Sequence, residues 1–274
     1  MEDSLRNPAY LIAYLVLTLG VLAPFGLKAI VELQPHRAYY TVSMEGRPSL
    51  NTNITEVRGT MMVELNKVCG GWTVQQRSEI WQYRDDDTIK HIKWSYVTYE
   101  AEDGMLFKFN TFREIDDEIV ENIRGQAKKN GKLIEVLYQK PKKATQKLPQ
   151  ETLFPIQHTT ALLKTAEEGD HMFPQIVFDG SSTDGASQIN TFIGAKKVTV
   201  GNPANKGTHQ FAGQPFWPVQ FAVYELGKTN YESDYVTTED LLPTGIITQY
   251  VIDDGTIKIR GVLDRIELLS KEDC

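Results

Sequence analysis

The chain has 274 residues, 41% hydrophobic and 24% charged, proportions close to the globular averages and sufficient for a sizeable core. Its 36 acidic against 29 basic residues leave a net charge of -7, which argues against non-specific binding to nucleic acid or anionic membrane as its main work. With only two cysteines, Cys69 and Cys274, it is not a disulfide-dense mini-protein and carries no cysteine pattern for zinc.

The chain opens with an uncharged apolar run, Ala9 to Ala23, preceded by Glu2, Asp3 and Arg6. That run is short for a spanning helix, which needs about 20 apolar residues, and fits the apolar region of a secretory signal with Ala29 as the small residue at the cleavage point. Residues 1–29 therefore read as a signal peptide, with an uncleaved anchor as the alternative, and 30–274 as one exported domain. No cysteine lies near the cleavage point to accept a bacterial lipoprotein anchor. Export favours pairing of Cys69 with Cys274, because disulfides persist in oxidising compartments; intermolecular pairing or free thiols are the alternatives. Closing so long a loop would contribute roughly 4 to 5 kcal/mol in the chain-entropy account.

Period-two alternation begins with Ala38, Tyr40, Val42 and Met44 against Tyr39, Thr41, Ser43 and Glu45, which predicts a strand. Gly46 to Thr55 is a polar loop containing Pro48. Further strands are predicted at 60–68, 72–83, 89–100, 105–114, 118–127 and 132–139. Asp103-Gly104, Asp116-Asp117 and Asn130-Gly131 separate the last four, and such residues tolerate the positive φ of tight hairpins. These seven strands form an antiparallel meander, and aromatics and glutamines on both faces predict a large curved sheet wetted on one side.

Lys140 to Pro149, with four lysines and two prolines, reads as a solvated linker rather than a basic docking loop. Pro155 to Glu168 is the one convincing helix, with Pro155 suited to its first turn, a stripe of Ile156, Thr159, Leu162, Leu163 and Ala166, and Gly169 as its stop. Between two sets of strands, it is placed to plug or cap the curved sheet. The second set is expected at 172–178, 188–194, 196–200, 216–226, 231–238 and 245–252, with Gly201 to Gly213 a polar loop. A final strand within 256–269 alternates Ile257, Ile259, Gly261 and Leu263.

Chemistry is sparse. The five histidines are scattered, and His158 on the helix is expected to be packed or at the surface rather than catalytic. No nucleophile elbow or phosphate-binding glycine loop occurs. Asp179 to Gly185 faintly resembles a calcium loop but lacks the terminal glutamate, and Arg84 to Asp87 reads as a solvated turn. The four tryptophans are expected in sheet packing more than in carbohydrate or lipid binding. No catalytic residue, metal ligand or cofactor site is expected.

With these residues in place, the chain resembles the EipB family of periplasmic cell-envelope integrity proteins. The resemblance rests on Pro35-His36-Arg37-Ala38, Cys69-Gly70-Gly71-Trp72-Thr73, Leu153-Phe154-Pro155 with His158, Phe178-Asp179-Gly180, Pro215-Phe216-Trp217-Pro218-Val219 and the final hairpin with its terminal cysteine. It implies a mainly β fold, a β-spiral in which a large antiparallel sheet curls into an open, broken barrel around or against one α-helix. Cys69 and Cys274 occupy the family's disulfide positions. The resemblance further implies a periplasmic, non-enzymatic protein that supports envelope integrity, through binding of another envelope or periplasmic protein. A carrier holding a lipid or acyl chain is the alternative, with Met61, Leu65, Leu106 and Phe109 expected to line its cavity.

Overall fold

The computed structural model describes residues 31–227 and 232–272, so residues 1–29, expected as a signal peptide, and Cys274 lie outside the described residues. The first half is a meander of long strands: β1 (His36–Met44), β2 (Ile54–Val68), β3 (Gly71–Arg84), β4 (Ile89–Ala101), β5 (Leu106–Ile115), β6 (Glu118–Asn130), β7 (Leu133–Lys140) and β8 (Ala144–Pro149). Helix α1 (Pro155–Glu167) follows, then β9 (Met172–Val177), β10 (Ser187–Ile193), β11 (Lys197–Val198) and a one-turn α2 (Lys206–His209). The chain closes with β12 (Pro215–Glu225), β13 (Tyr235–Leu241), β14 (Ile247–Asp253) and β15 (Lys258–Leu268).

All strands belong to one antiparallel sheet, ordered β8-β7-β6-β5-β4-β3-β2-β1-β15-β14-β13-β12-β10-β9, with β11 beside β12. β1 is the seam, pairing β2 on one side and β15 on the other, so the last strand joins the two halves of the chain through the first. The terminal strands β8 and β9 share no ladder among the described residues, and the curl stays open. A single parallel bridge, Leu153 to Val177, ties the entry of α1 to the β9 edge. Among the described residues no helix is long and apolar enough to cross a membrane.

Hairpin chemistry sets the meander. Asp116 and Asp117 adopt φ of 52° and 63°, the paired left-handed conformation of a turn whose twist matches that of the flanking strands. The inner face is filled by three clusters. Phe107, Phe109, Ile123, Ile134, Val136, Tyr138 and Leu148 of β5–β8 close on Phe154 and Phe178. Leu162, Leu163 and Ala166 of α1 pack with Leu65, Phe173, Ile193, Trp217, Val219 and Leu241. Ala38, Tyr40 and Leu263 meet Phe211, Phe216, Leu242, Ile246 and Tyr250.

Four expectations need correction. Lys140 to Pro149 is not a linker throughout, because Ala144–Pro149 pairs with β7 as β8. Its lysines and prolines suit an edge strand, which donates no hydrogen bonds on its free side and is protected by charge. The polar loop 201–213 contains α2, capped by the Asn205 side chain, which accepts from the Thr208 N–H at 2.9 Å. The strand expected at 231–238 runs instead over Tyr235–Leu241, and the one expected at 196–200 is reduced to Lys197–Val198.

Candidate functional site

The start of helix α1 is fixed from a distance. Phe154 at the N-cap offers no side-chain acceptor, and the capping carboxylate comes from β4: Glu100 Oε2 accepts from the Ile156 N–H at 2.8 Å and Oε1 from the Gln157 N–H at 2.9 Å. This anion at the positive end of the helix satisfies two donors that no helical carbonyl can reach. Burial pushes the Glu100 carboxyl up to about 7, against the two backbone donors and Lys129, which pull it down.

Thus anchored, α1 directs Phe154 towards the aromatic cluster of β5–β8, and Pro155, Ile156 and Thr159 towards a cavity of about 380 Å³. β1, β2 and β3 supply one wall of that cavity, with His36, Tyr40, Met61, Leu65 and Val74 among its side chains, and β13 and β14 supply the other. Alternation along β13 turns Tyr235, Thr237, Glu239 and Leu241 to the inside, and Tyr235 and Ile252, 40% and 37% exposed, mark the cavity's mouth. Met61 and Leu65 line the cavity as expected. Phe109 instead lies in the aromatic core, 5.4 Å from the Phe178 ring, and Leu106 alternates away from the face that carries Phe107 and Phe109.

The unusual member is Glu239. It stands opposite Val219 on β12 and Tyr250 on β14, and no donor among the described residues hydrogen-bonds its carboxylate. Burial pushes it up to about 7. Tyr40 and Tyr250 lie beside it, their rings edge-to-face at 5.6 Å, and burial together with the Glu239 charge raises both hydroxyls. The Tyr40 hydroxyl donates to the Ile247 carbonyl at 2.9 Å, and Tyr250 reaches the Met61 sulfur at 3.6 Å. Gly261 on β15 makes room for the second ring, since a Cβ there would come within 2.2 Å of Tyr250. The strand pattern around Glu239 shows the inward position only once the boundary of β13 is known, which is why sequence reasoning missed it.

Cys69 occupies the β2–β3 turn, followed by Gly70 at φ 78°. The carboxyl-terminal tail passes beside it. The Cys69 N–H donates to Glu272 Oε2 at 3.3 Å and the Glu272 N–H to the Lys67 carbonyl at 3.4 Å. Cys274 lies two residues beyond, outside the described residues.

Other candidates resolve into packing. His158 is buried between Phe173 and Phe221, ring centroids 5.5 and 6.0 Å away, and burial pulls its imidazole down to about 4. At 179–185 the loop is a structural latch, with the Asp179 and Gly180 carbonyls accepting from Tyr96 at 2.6 Å and Thr111 at 3.0 Å. Asp86 closes its own turn by accepting from the Thr88 N–H and hydroxyl. Trp81 stacks on His91 and Trp94 on Tyr96, while Trp217 is core. Among the described residues, no three His, Cys, Asp or Glu side chains gather into a set that could hold a metal.

A single open, curled antiparallel sheet holding a helix across its concave side defines a β-barrel-like class. Within that class the chain belongs to the EipB-like family, whose model matches residues 27–270. It is similar to the cell envelope integrity protein EipB of Brucella abortus (strain 2308), 28% identical over 241 residues that span 87% of this chain and 85% of the relative. A crystal structure of a β-barrel-like protein of a domain of unknown function from Brucella abortus superposes with a TM-score of 0.81 at 27% identity, covering 88% of this chain and all of the other.

Proposed function

We propose that this protein is exported to the periplasm and supports cell envelope integrity without catalysing a reaction, by binding another envelope or periplasmic protein. The observation that carries the reading is the family match across residues 27–270, together with a relative named for envelope integrity. The apolar run at Ala9 to Ala23 supports export as a signal peptide. The placement of Glu272 against Cys69 supports a disulfide between Cys69 and Cys274 that fastens the tail to the β2–β3 turn. Deleting the gene and challenging cells with detergent or cell-wall antibiotics tests the reading. Sensitivity rescued by the full chain, but not by a chain lacking residues 1–29, is the expected result, and unaltered resistance would overturn it. In-cell crosslinking should recover a defined envelope protein in stoichiometric amounts that disappears on deletion.

A second reading, a carrier of a lipid or other amphiphile, is favoured by the cavity between β1–β3, α1 and β13–β14, whose volume of about 380 Å³ falls in the usual small-ligand range.

A further inference from the structure

Resting on the carrier reading, we propose that the cavity binds an organic ammonium ion with an apolar tail, its charge held by Glu239 and the rings of Tyr40 and Tyr250. Three features of the cavity point to this chemistry. The first is an inward carboxylate that no donor among the described residues satisfies, on a strand whose other inward neighbours, Thr237 and Leu241, carry no charge. A half-buried acid shielded from solvent by the cavity walls and left without a partner costs stability, and a bound cation would supply the missing counter-charge.

The second is the pair of rings. Tyr40 and Tyr250 meet edge-to-face 5.6 Å apart beside Glu239, and aromatic faces next to a carboxylate form the cage that recognises alkylated ammonium groups. The third is what surrounds them. Leu65, Val74, Ile156 and Ile247 provide apolar surface for a tail, and among the described residues no lysine or arginine lines the cavity to compete for Glu239.

Among groups that titrate, Glu239 is faced by Tyr40 and His36 from β1, Tyr235 from its own strand and Tyr250 from β14. β2, β3 and α1 contribute only uncharged side chains. Burial lowers the His36 ring, whose Nδ1 lies 2.7 Å from the Gln34 carbonyl, and raises all three tyrosines, so these groups stay neutral near pH 7. Glu239 is then the group whose ionisation controls affinity.

Calorimetric titration of the full exported domain with hexyltrimethylammonium, tetramethylammonium and hexanoate tests the assignment. The expected order is hexyltrimethylammonium first, with hexanoate not bound at pH 8. Affinity for the cation should rise between pH 6 and pH 8 and fall about tenfold or more in Glu239→Gln, the loss expected of a desolvated charge pair. Tyr250→Leu should weaken binding and Tyr250→Phe should retain it, while thermal melting verifies that each variant is folded. Lysophosphatidylcholine separates the sources. Competition with hexyltrimethylammonium assigns the site to a lipid head group and absence of competition to a soluble ammonium, and both support the cation assignment. Equal binding of hexanoate, or unchanged affinity in folded Glu239→Gln, would overturn it and leave the carrier reading standing. Failure of all the probes to bind would overturn both.

Discussion

The two sides of the curled sheet bury their inner faces in different ways. Over β5–β8, aromatic rings meet each other directly: Phe107 lies 5.0 Å from Phe154 and 5.9 Å from Phe109, and Tyr138 stands edge-on to Phe109 at 5.7 Å. Close approach there depends on Gly180, where φ is +70° and an added Cβ would come within 2.3 Å of the Phe109 ring. Between β1–β3 and β13–β14, by contrast, the same helix presents Pro155, Ile156 and Thr159, and a cavity containing an unsatisfied acid remains. One side is built for stability. The other keeps space and charge that stability alone would have removed.

Breaking the dry side should have the largest effect. Phe107 is fully buried among rings, so Phe107→Ala is expected to cost about 3–5 kcal/mol in urea unfolding, through lost burial and the cavity left behind. A comparable truncation beside the existing cavity, Ile156→Ala, should cost clearly less because that wall is already incompletely packed. Equal losses would mean that the two sides are packed alike.

Next in size is the tail. If Cys69 is bonded to Cys274, Cys69→Ser should lower stability by about 2–4 kcal/mol and make the carboxyl-terminal residues more sensitive to protease while preserving the β-sheet circular dichroism. Identical melting of oxidised and reduced protein would show that the bond is absent or without effect.

Glu239 gives a pH test of the cavity side. Its folded pKa of about 7 lies above its ordinary value of 4.5, so the fold favours the protonated acid. The associated stability is present below pH 4.5 and is lost as pH rises through 7. Glu239→Gln resembles the protonated form. It should match the native protein near pH 4.5 and exceed it at pH 8 by up to about 3 kcal/mol, less whatever cavity water offsets. Glu100 is shifted in the same direction, so the native protein should retain part of its pH dependence in the variant.

Legibility in the sequence followed locality. The meander was readable because Asp103-Gly104, Asp116-Asp117 and Asn130-Gly131 mark hairpins between alternating runs, and α1 because Pro155, its apolar stripe and Gly169 all act within a few residues. β8 was hidden because the lysines and prolines of an edge strand have the composition of a linker. Glu239 was hidden because Glu239 and Asp240 place an acid on each face of β13, leaving the inward side to be decided by the pairing with β12 and β14. The cavity itself depends on β15 pairing with β1, across more than two hundred residues, and no local pattern reports that closure.

Where the two sides meet, Glu100 sets the boundary, and its removal is the smallest of these effects. Its carboxylate holds the Ile156 and Gln157 N–H groups, the residues at which the chain passes from Phe154 in the dry core to Ile156 at the cavity wall. Glu100→Ala leaves both donors without a side-chain acceptor and should cost about 1–2 kcal/mol, the scale of a lost helix cap. Glu100→Gln keeps one acceptor oxygen and should recover part of the loss. Hydrogen exchange should locate the change, accelerating at the 156–158 amides while the β5–β8 amides exchange as before. Uniform acceleration over both sides would mean that Glu100 supports the whole fold, with no special role in separating its packed half from its open one.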